Sequence, residues 1–276
     1  MDYLEYFKLS EQPFSNVVDS RFYYNSPQQS QAISKLKYAI DTKKGLAVVI
    51  GNIGAGKTTL ARRLLEELDE EHYEAALLVI IHSSVSSEWL FKKFAMQLGV
   101  RHVSDHKLEL LGEIYKRLNE INEEGKKAVV LMDEVQMLNS REIMEEFRGL
   151  LNMESSEGKM VNFVFFGLPE LDQVMALDEP LKQRVASRIT LNAYSEENTR
   201  DYIYHRLQVA GAGEGIFTDA AIHQIYKYSS GIPRLINTIC DNALLEAFLF
   251  KKQGVDEEVI RSVAVDLGLD TSGSMA

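Results

Sequence analysis

The sequence predicts a three-layer α/β fold with a parallel sheet, followed by a small all-helical domain. Two observations indicate this. From about residue 45 to residue 191, short apolar runs alternate with longer amphipathic stretches. After about residue 194, every segment has its apolar residues at helical spacing. Nearly continuous apolar runs are typical of strands buried on both faces, and helices between such strands are typical of a parallel sheet.

Residues 1–44 are predicted to form an N-terminal segment that packs on the α/β core. The first part is irregular and crowded with aromatic residues, and a helix is expected from Pro27 to Asp41. Aromatic side chains in a loop usually pack onto a neighbouring surface. A second interpretation is that some of them form the wall of an adenine pocket.

The α/β core is expected to span residues 45–193. Its strands are predicted at 46–50, 75–81, 128–132 and 161–166, with a weaker one at 186–191. A helical lid domain is expected at 194–268, with helices at 195–210, 218–229, 233–251 and 256–267. Ser195 and Thr218 stand where helix N-caps belong. Residues 269–276 are predicted to be a disordered tail.

The composition is that of a globular protein and argues against binding driven by bulk charge. Of 276 residues, 45% are hydrophobic, the net charge is −11 and the pI is about 5.1. A protein held to nucleic acid by its overall field is usually basic, so we do not expect nucleic acid as a partner. A local basic patch remains compatible with these numbers.

One cysteine, Cys240, excludes an internal disulfide, and its apolar surroundings predict a buried, inert thiol. The N-terminus lacks the features of a signal peptide. No apolar stretch approaches the roughly 20 residues of a membrane helix. We therefore expect a cytoplasmic protein that meets a membrane only indirectly, through a partner.

A glycine-rich segment follows the first predicted strand and opens a helix. It is Gly51, Asn52, Ile53, Gly54, Ala55, Gly56, Lys57 and Thr58, followed by Thr59. It matches the phosphate-loop pattern G-x-x-x-x-G-K-[ST] in full. Such a loop points backbone N–H groups and a helix N-terminus at phosphate oxygens. The motif predicts binding of ATP and Mg²⁺, with Lys57 on the β- and γ-phosphates and the Thr58 hydroxyl on the metal ion.

Two carboxylates end the third predicted strand. Asp133 and Glu134 follow the apolar run 128–132. Ligands of parallel sheets bind at the carboxyl ends of the strands, so Asp133 is expected beside Mg²⁺. Glu134 is expected near the γ-phosphate, as the base that orients and deprotonates the attacking water. An ordinary solvated strand end is the alternative, and the complete phosphate loop upstream favours the functional interpretation.

Three arginines are candidates for contact with the phosphates. Hydrolysis in such folds often needs a positive charge at the γ-phosphate, frequently from a neighbouring subunit. Arg184 and Arg188 lie close together after the fourth predicted strand. Arg234 stands in the first turn of a predicted helix, where it opposes the helix dipole, and this favours another partner for its charge. For each arginine the alternative is a surface ion pair.

The order of these motifs resembles the AAA+ ATPases, near their initiator and clamp-loader branch. More closely, residues 1–267 resemble the ATPase domain of the general secretion pathway protein A family, which serves type II secretion and mannose-sensitive pilus biogenesis. The matching segments are 3–7 with Pro13 and Phe14, 133–138, 167–171, 181–188 and 231–237. The resemblance implies an AAA+ core with a lid, a homo-oligomer with ATP at the subunit interface, and a protein partner in a pilus or secretion machine.

The resemblance also assigns the arginines. It implies that Arg188 is the arginine finger acting on a neighbouring subunit, with Arg184 in reserve, and that Arg234 is a lid sensor for the nucleotide of its own subunit. One position departs from the family, which usually has glutamine in place of Leu168. Leucine cannot hold a water by hydrogen bonding, so either another residue serves or hydrolysis is slow. Long members carry a membrane helix and a wall-binding domain, so we expect this chain to resemble the short, cytoplasmic members.

The leading hypothesis is thus an ATPase that assembles or remodels a pilus or secretion component. Three alternatives stay open: a DNA-associated regulator of the transposition type, a nucleotide-gated scaffold with little turnover, and a substrate kinase. The acidic charge argues against the first, and Glu134 with the helical lid argues against the kinase. The six histidines show no metal-ligand spacing, and His102 and His106 are expected at the surface.

Overall fold

The computed structural model describes residues 2–212 and 215–269, and its contacts divide the chain into two compact units. The sheet unit comprises residues 27–53 and 57–191. The helical unit, as far as it is described, comprises residues 2–26, 54–56, 192–212 and 215–269. The tail expected at 269–276 lies outside the described residues, apart from Leu269.

The sheet unit is built on five parallel strands, as predicted. They are β1 (Leu46–Gly51), β2 (Tyr73–Val79), β3 (Lys127–Asp133), β4 (Val161–Gly167) and β5 (Ser187–Leu191). Their spatial order is β2-β3-β4-β1-β5. Every residue of β1 and of β4 is buried, so both faces of the middle of the sheet are covered. The continuous apolar runs predicted this, because a strand covered on both faces has no polar side.

Twelve helices surround the strands or form the second unit in the described part of the chain. They are α1 (Tyr3–Phe7), α2 (Pro27–Asp41), α3 (Lys57–Glu67), α4 (Ser87–Gln97), α5 (Lys107–Glu123), α6 (Arg141–Leu150), α7 (Leu171–Met175), α8 (Glu179–Lys182), α9 (Glu196–Val209), α10 (Asp219–Ser229), α11 (Pro233–Leu249) and α12 (Glu257–Asp266). Helices α2 to α8 lie in the sheet unit. A short hairpin joins Glu154–Ser155 to Gly158–Lys159, and 3₁₀ turns cover Ser20–Phe22 and Val135–Met137.

Helices α9 to α12 form the body of the helical unit. Ser195 caps α9 by accepting a hydrogen bond from the N–H of Asn198, and Thr218 caps α10 in the same way through Ala221. These are the two caps that the sequence predicted. Cys240 lies on α11 with no exposed surface, and burial raises the pKa of its thiol well above the usual value.

The N-terminal segment is divided between the two units. Residues 1–44 were expected to pack on the α/β core as one segment, but the described part divides after Ser26. Only α2 lies in the sheet unit, whereas residues 2–26 pack within the helical unit. Phe7, Phe14 and Phe22 are buried in the core of that unit, and Phe14 meets the ring of Phe217 edge-on with centroids 5.9 Å apart.

A buried arginine holds this segment in place. Arg206, on α9, donates hydrogen bonds to the carbonyl oxygens of Pro13 and Ser15, and to the hydroxyl of Tyr202 at 2.7 Å. Its guanidinium also lies 4.9 Å from the ring centroid of Phe22. These contacts fasten residues 13–22 to α9, and they favour packing over a role of these aromatic residues in an adenine pocket. No helix in the described residues is long and apolar enough to cross a membrane.

Candidate functional site

The phosphate loop connects β1 to α3 at the carboxyl edge of the sheet. Strand β1 ends at Gly51 and α3 begins at Lys57. Gly54 and Gly56 have φ angles of 76° and 94°, in the left-handed region that glycine adopts without steric cost. The loop therefore turns sharply and leads directly into the N-terminus of a helix. A helix N-terminus with free N–H groups is a site for anions such as phosphate.

Lys57 is turned onto the loop that precedes it. Its side chain is buried, and Nζ donates to the carbonyl oxygens of Gly51 at 2.9 Å and of Asn52 at 3.1 Å. Of the remaining loop residues, Asn52 and Ile53 are exposed, Ala55 is buried and Thr59 is half-buried. The ammonium group is thus held against the backbone of the loop.

Thr58, in the first turn of α3, and Asp133, at the end of β3, meet although β1 and β3 are not neighbouring strands. The Thr58 hydroxyl donates to Oδ2 of Asp133 at 2.5 Å, and the other carboxylate oxygen accepts from the N–H of Glu134 at 2.9 Å. Asp133 is only 1% exposed. Burial raises the pKa of its carboxyl, and the hydrogen bond from Thr58 opposes that rise. The parallel sheet brings the pair together because β1 and β3 end at the same edge.

Glu134 has an unusual backbone and a fixed side chain. Its φ and ψ are 60° and 35°, a left-handed conformation that is uncommon for a residue with a side chain. Its Oε2 accepts a hydrogen bond from Nε2 of Gln136 at 2.5 Å, and Oε1 of Gln136 accepts from the N–H of Leu168 at 3.1 Å. Gln136 was not among the residues singled out from the sequence. The only signal was its position two residues after the acidic pair.

These side chains fit a nucleotide with a magnesium ion. The Thr58 hydroxyl and the Asp133 carboxylate are oxygen ligands, which Mg²⁺ prefers, and phosphates and water usually supply the rest of its coordination. Lys57 and the N-terminus of α3 would hold the phosphate groups. When bound, the ion would neutralise negative charge on the phosphates. Glu134 directly follows Asp133, so a second carboxylate stands at the end of β3.

Neither candidate finger joins this group of residues in the structure. Arg188 lies on β5 opposite Val48 of β1, and it forms a bidentate ion pair with Asp172 of α7, with Nη2 and Oδ2 2.5 Å apart. Its side chain remains half exposed. Arg184 donates to the side-chain oxygen of Asn152 at 2.6 Å and to a backbone carbonyl of α6. Both arginines are held within their own sheet unit.

Arg234 meets the tip of the phosphate loop within the helical unit. Its backbone N–H donates to the carbonyl oxygen of Gly54 at 3.4 Å. A Cβ atom on Gly54 would come within 2.8 Å of the Cβ of Arg234, so the close approach requires glycine. The side chain of Arg234 is exposed at the start of α11. Within the described part of the chain, its guanidinium makes no hydrogen bond or ion pair.

The histidines predicted at the surface are there, since His102 and His106 are both exposed. Across residues 2–212 and 215–269, no group of three or more histidine, cysteine, aspartate or glutamate side chains is arranged to hold a metal ion. A metal at the phosphate loop would thus draw on phosphate and water oxygens besides Thr58 and Asp133.

Comparison with known proteins relates this sequence to a family and to a curated relative. Residues 40–175 match the family described as AAA domain. General secretion pathway protein A of Aeromonas hydrophila is 36% identical over 251 residues, which is 89% of this chain and 45% of that protein. The chain thus spans less than half the length of this relative.

Solved structures with the same fold include two ORC structures. The Aeropyrum pernix ORC2 protein, solved in ADPNP and ADP complexes, superposes with a TM-score of 0.69 at 14% identity, over 93% of this chain and 72% of that one. Drosophila ORC bound to DNA gives a TM-score of 0.70 at 19% identity, over 95% of this chain and 66% of that one. At such identities the likeness describes the fold alone.

Proposed function

We propose that this chain, which is an AAA+ ATPase related to General secretion pathway protein A, binds ATP with Mg²⁺ and hydrolyses it to assemble or remodel a pilus or secretion component. One observation carries the catalytic part. The Thr58 hydroxyl at the end of the phosphate loop lies 2.5 Å from the buried Asp133 carboxylate. A helix N-terminus and a pair of oxygen-bearing side chains therefore lie at one edge of the sheet, which supports the proposal.

The proposed roles follow from the chemistry of each side chain. Lys57 releases its loop carbonyls and binds β- and γ-phosphate oxygens. Thr58 and Asp133 hold the metal ion. Glu134 accepts a proton from the attacking water as that water approaches the γ-phosphate, which requires its carboxylate to be ionised and correctly oriented.

Turnover is proposed to depend on a second copy of the chain. Arg188 is half exposed on β5, which is an edge strand of the sheet, so a neighbouring subunit could receive it. We propose that Arg188 stabilises charge at the nucleotide of that neighbour, with Arg184 as the reserve candidate. Arg234, which contacts Gly54 through its backbone, is proposed to sense the nucleotide of its own subunit.

The partner is proposed to be a protein of a bacterial pilus or secretion machine, met from the cytoplasm. The support for this is the relative named General secretion pathway protein A. The net charge of −11 argues against a partner held by bulk attraction to DNA. Likeness to ORC bound to DNA does not alter this, because it concerns the fold.

A nucleotide-gated scaffold is a second candidate function. It is favoured by Leu168, whose side chain offers no polar group at the edge of the sheet where a water must be held. In that case nucleotide binding would set the oligomeric state, and turnover would be incidental. Both candidate functions require the same phosphate loop, and they differ in the expected rate of ATP hydrolysis.

The experiment that tests the proposal is the specific ATPase rate against protein concentration, for wild type, Glu134→Gln and Arg188→Ala. Exposed residues supply the matched controls, Glu123→Gln on α5 and Arg141→Ala on α6. We expect a specific rate that climbs with concentration, collapses in the two site variants and is unchanged in the two controls. A near-zero ATPase rate that does not change with concentration, with ATP still tightly bound, would favour the nucleotide-gated scaffold. Salt-sensitive binding to duplex DNA would favour a DNA-associated role instead.

A further inference from the structure

We propose that Gln136 is a positioning residue. It orients the Glu134 carboxylate so that Glu134 can deprotonate the water that attacks the γ-phosphate. The inference rests on the proposed role of Glu134 as the base. Its geometric basis is the pair of hydrogen bonds made by one side-chain amide, to Glu134 at 2.5 Å and to the N–H of Leu168 at 3.1 Å. The amide therefore links the end of β3 to the end of β4.

The direction of these hydrogen bonds is fixed by chemistry. The backbone N–H of Leu168 can only donate, so the oxygen of the Gln136 amide must face it. The NH₂ group then faces Glu134, whose carboxylate must accept. One of the two carboxylate oxygens is thereby occupied, and the other remains available to a water. An amide in this orientation selects one carboxylate geometry from the several that a glutamate side chain adopts.

The surrounding residues make room for this contact. Gly167 ends β4, and a Cβ atom there would lie 2.9 Å from Oε1 of Gln136, so any larger residue would push the amide away. Gln136 stands on the 3₁₀ turn Val135–Met137, which the left-handed backbone of Glu134 begins. The turn directs the amide back to the glutamate two residues earlier. The backbone of Leu168, together with Gln136, thus provides the polar link that the leucine side chain cannot.

Two substitutions separate positioning from a merely structural link. Gln136→Glu keeps an oxygen for the N–H of Leu168 but removes the donor to Glu134. Gln136→Met keeps the approximate length and removes both hydrogen bonds. Gln173→Met, at an exposed position of α7, is the matched control. The first measurements are kcat, KM and the Kd for ATP. The second is the unfolding free energy of the ligand-free protein, in a double-mutant cycle of Gln136→Met with Glu134→Ala.

We expect kcat to fall at least about 10-fold in both Gln136 variants, while KM and Kd change by less than about 2-fold, because only the transition state needs the oriented carboxylate. The control should match wild type, and the effects of Gln136→Met and Glu134→Ala on unfolding should not add, since the groups touch. A wild-type kcat in Gln136→Glu, or additive effects on unfolding, would overturn the inference. If wild type itself did not hydrolyse ATP, the proposed function would fail instead, and the unfolding cycle would still test the contact.

Discussion

At the scale of single residues, Asp133 shows a conflict between binding and stability. The carboxyl is buried, and burial raises its pKa because the charged form loses its hydration. The hydrogen bonds from Thr58 and from the N–H of Glu134 recover only part of that loss. A bound metal ion would place a positive charge beside the carboxylate and so offset the rest of that loss. Without such an ion, the folded structure disfavours the charged form of this carboxyl.

This conflict predicts a pH-dependent stabilisation by Asp133→Asn in the ligand-free protein. A carboxyl whose folded pKa lies above its unfolded value of 3.8 contributes stability below that value and loses it as the pH rises through the folded pKa. At pH 7 the asparagine variant should thus melt at a higher temperature than wild type. The difference should vanish below about pH 3.8, where both forms are neutral. Thermal unfolding at several pH values measures this.

Glu123→Gln serves as the control for that series, because it removes an exposed carboxylate and should leave the melting temperature nearly constant. The same Asp133→Asn variant should bind ATP with Mg²⁺ more weakly than wild type. An Asp133→Asn protein that is less stable than wild type at pH 7 would mean that the hydrogen bonds outweigh the burial of the charge.

The sequence indicated four polar residues of the site but not Gln136, which joins Glu134 to the backbone of Leu168. Lys57, Thr58, Asp133 and Glu134 could be found because phosphate loops have a fixed spacing and because parallel strands end at one edge. Gln136 could not be found, since its contact with Leu168 depends on β3 and β4 being neighbours. Strand order is set by packing of the whole sheet and leaves no local pattern in the sequence.

At the scale of elements, the turn between α10 and α11 determines where Arg234 stands. Ser230 and Gly231 both have left-handed backbones, with φ angles of 50° and 73°. The Gly231 carbonyl oxygen accepts a hydrogen bond from the N–H of Tyr194 at 2.8 Å. A Cβ atom on Gly231 would lie only 2.0 Å from the Tyr194 carbonyl oxygen. The turn, the segment before α9 and the first turn of α11 are therefore one tightly packed element.

We predict that Gly231→Ala destabilises the protein by more than about 3 kcal/mol, because backbone strain and a clash with another backbone act together. Gly268→Ala is the matched control. It has a similar φ angle of 66°, yet no atom lies within 4 Å of its added Cβ. The control should therefore lose only about 1 kcal/mol, from backbone strain alone. Chemical denaturation of both variants measures the difference, and equal losses would show that the contact with Tyr194 relaxes freely.

Regular elements were predictable from the sequence, whereas the packing of the first 26 residues was not. The strands are continuous apolar runs and the four helices after residue 194 have a clear period, and Ser195 and Thr218 cap the first two of these helices as expected. The aromatic residues of the N-terminal segment have no period, so nothing local indicated which unit would bury them. Arg206 holds this segment in the helical unit. It donates hydrogen bonds to the carbonyl oxygens of Pro13 and Ser15, which are almost 200 positions away in the sequence.

At the scale of the whole molecule, the proposed arginine finger must change partners on assembly. Within one chain, Asp172 neutralises Arg188. Their ion pair lowers the pKa of the Asp172 carboxyl and raises the pKa of the Arg188 guanidinium. Half of the Arg188 side chain is exposed, so the ion pair is open to competition. A phosphate at a neighbouring subunit would be such a competitor, because Arg binds phosphate and carboxylate in the same bidentate manner.

This exchange predicts that two inactive variants restore each other. Glu134→Gln has a disabled site but supplies Arg188, and Arg188→Ala has an intact site but no finger. In an equal mixture, about one quarter of head-to-tail interfaces would join an intact site to an available finger, so we expect about a quarter of the wild-type ATPase rate. Mixing Glu134→Gln with Lys57→Ala is the control: neither has an intact site, so no rate should return. If the first mixture stayed as inactive as the control, Arg188 would not act across subunits, and its ion pair with Asp172 would be structural.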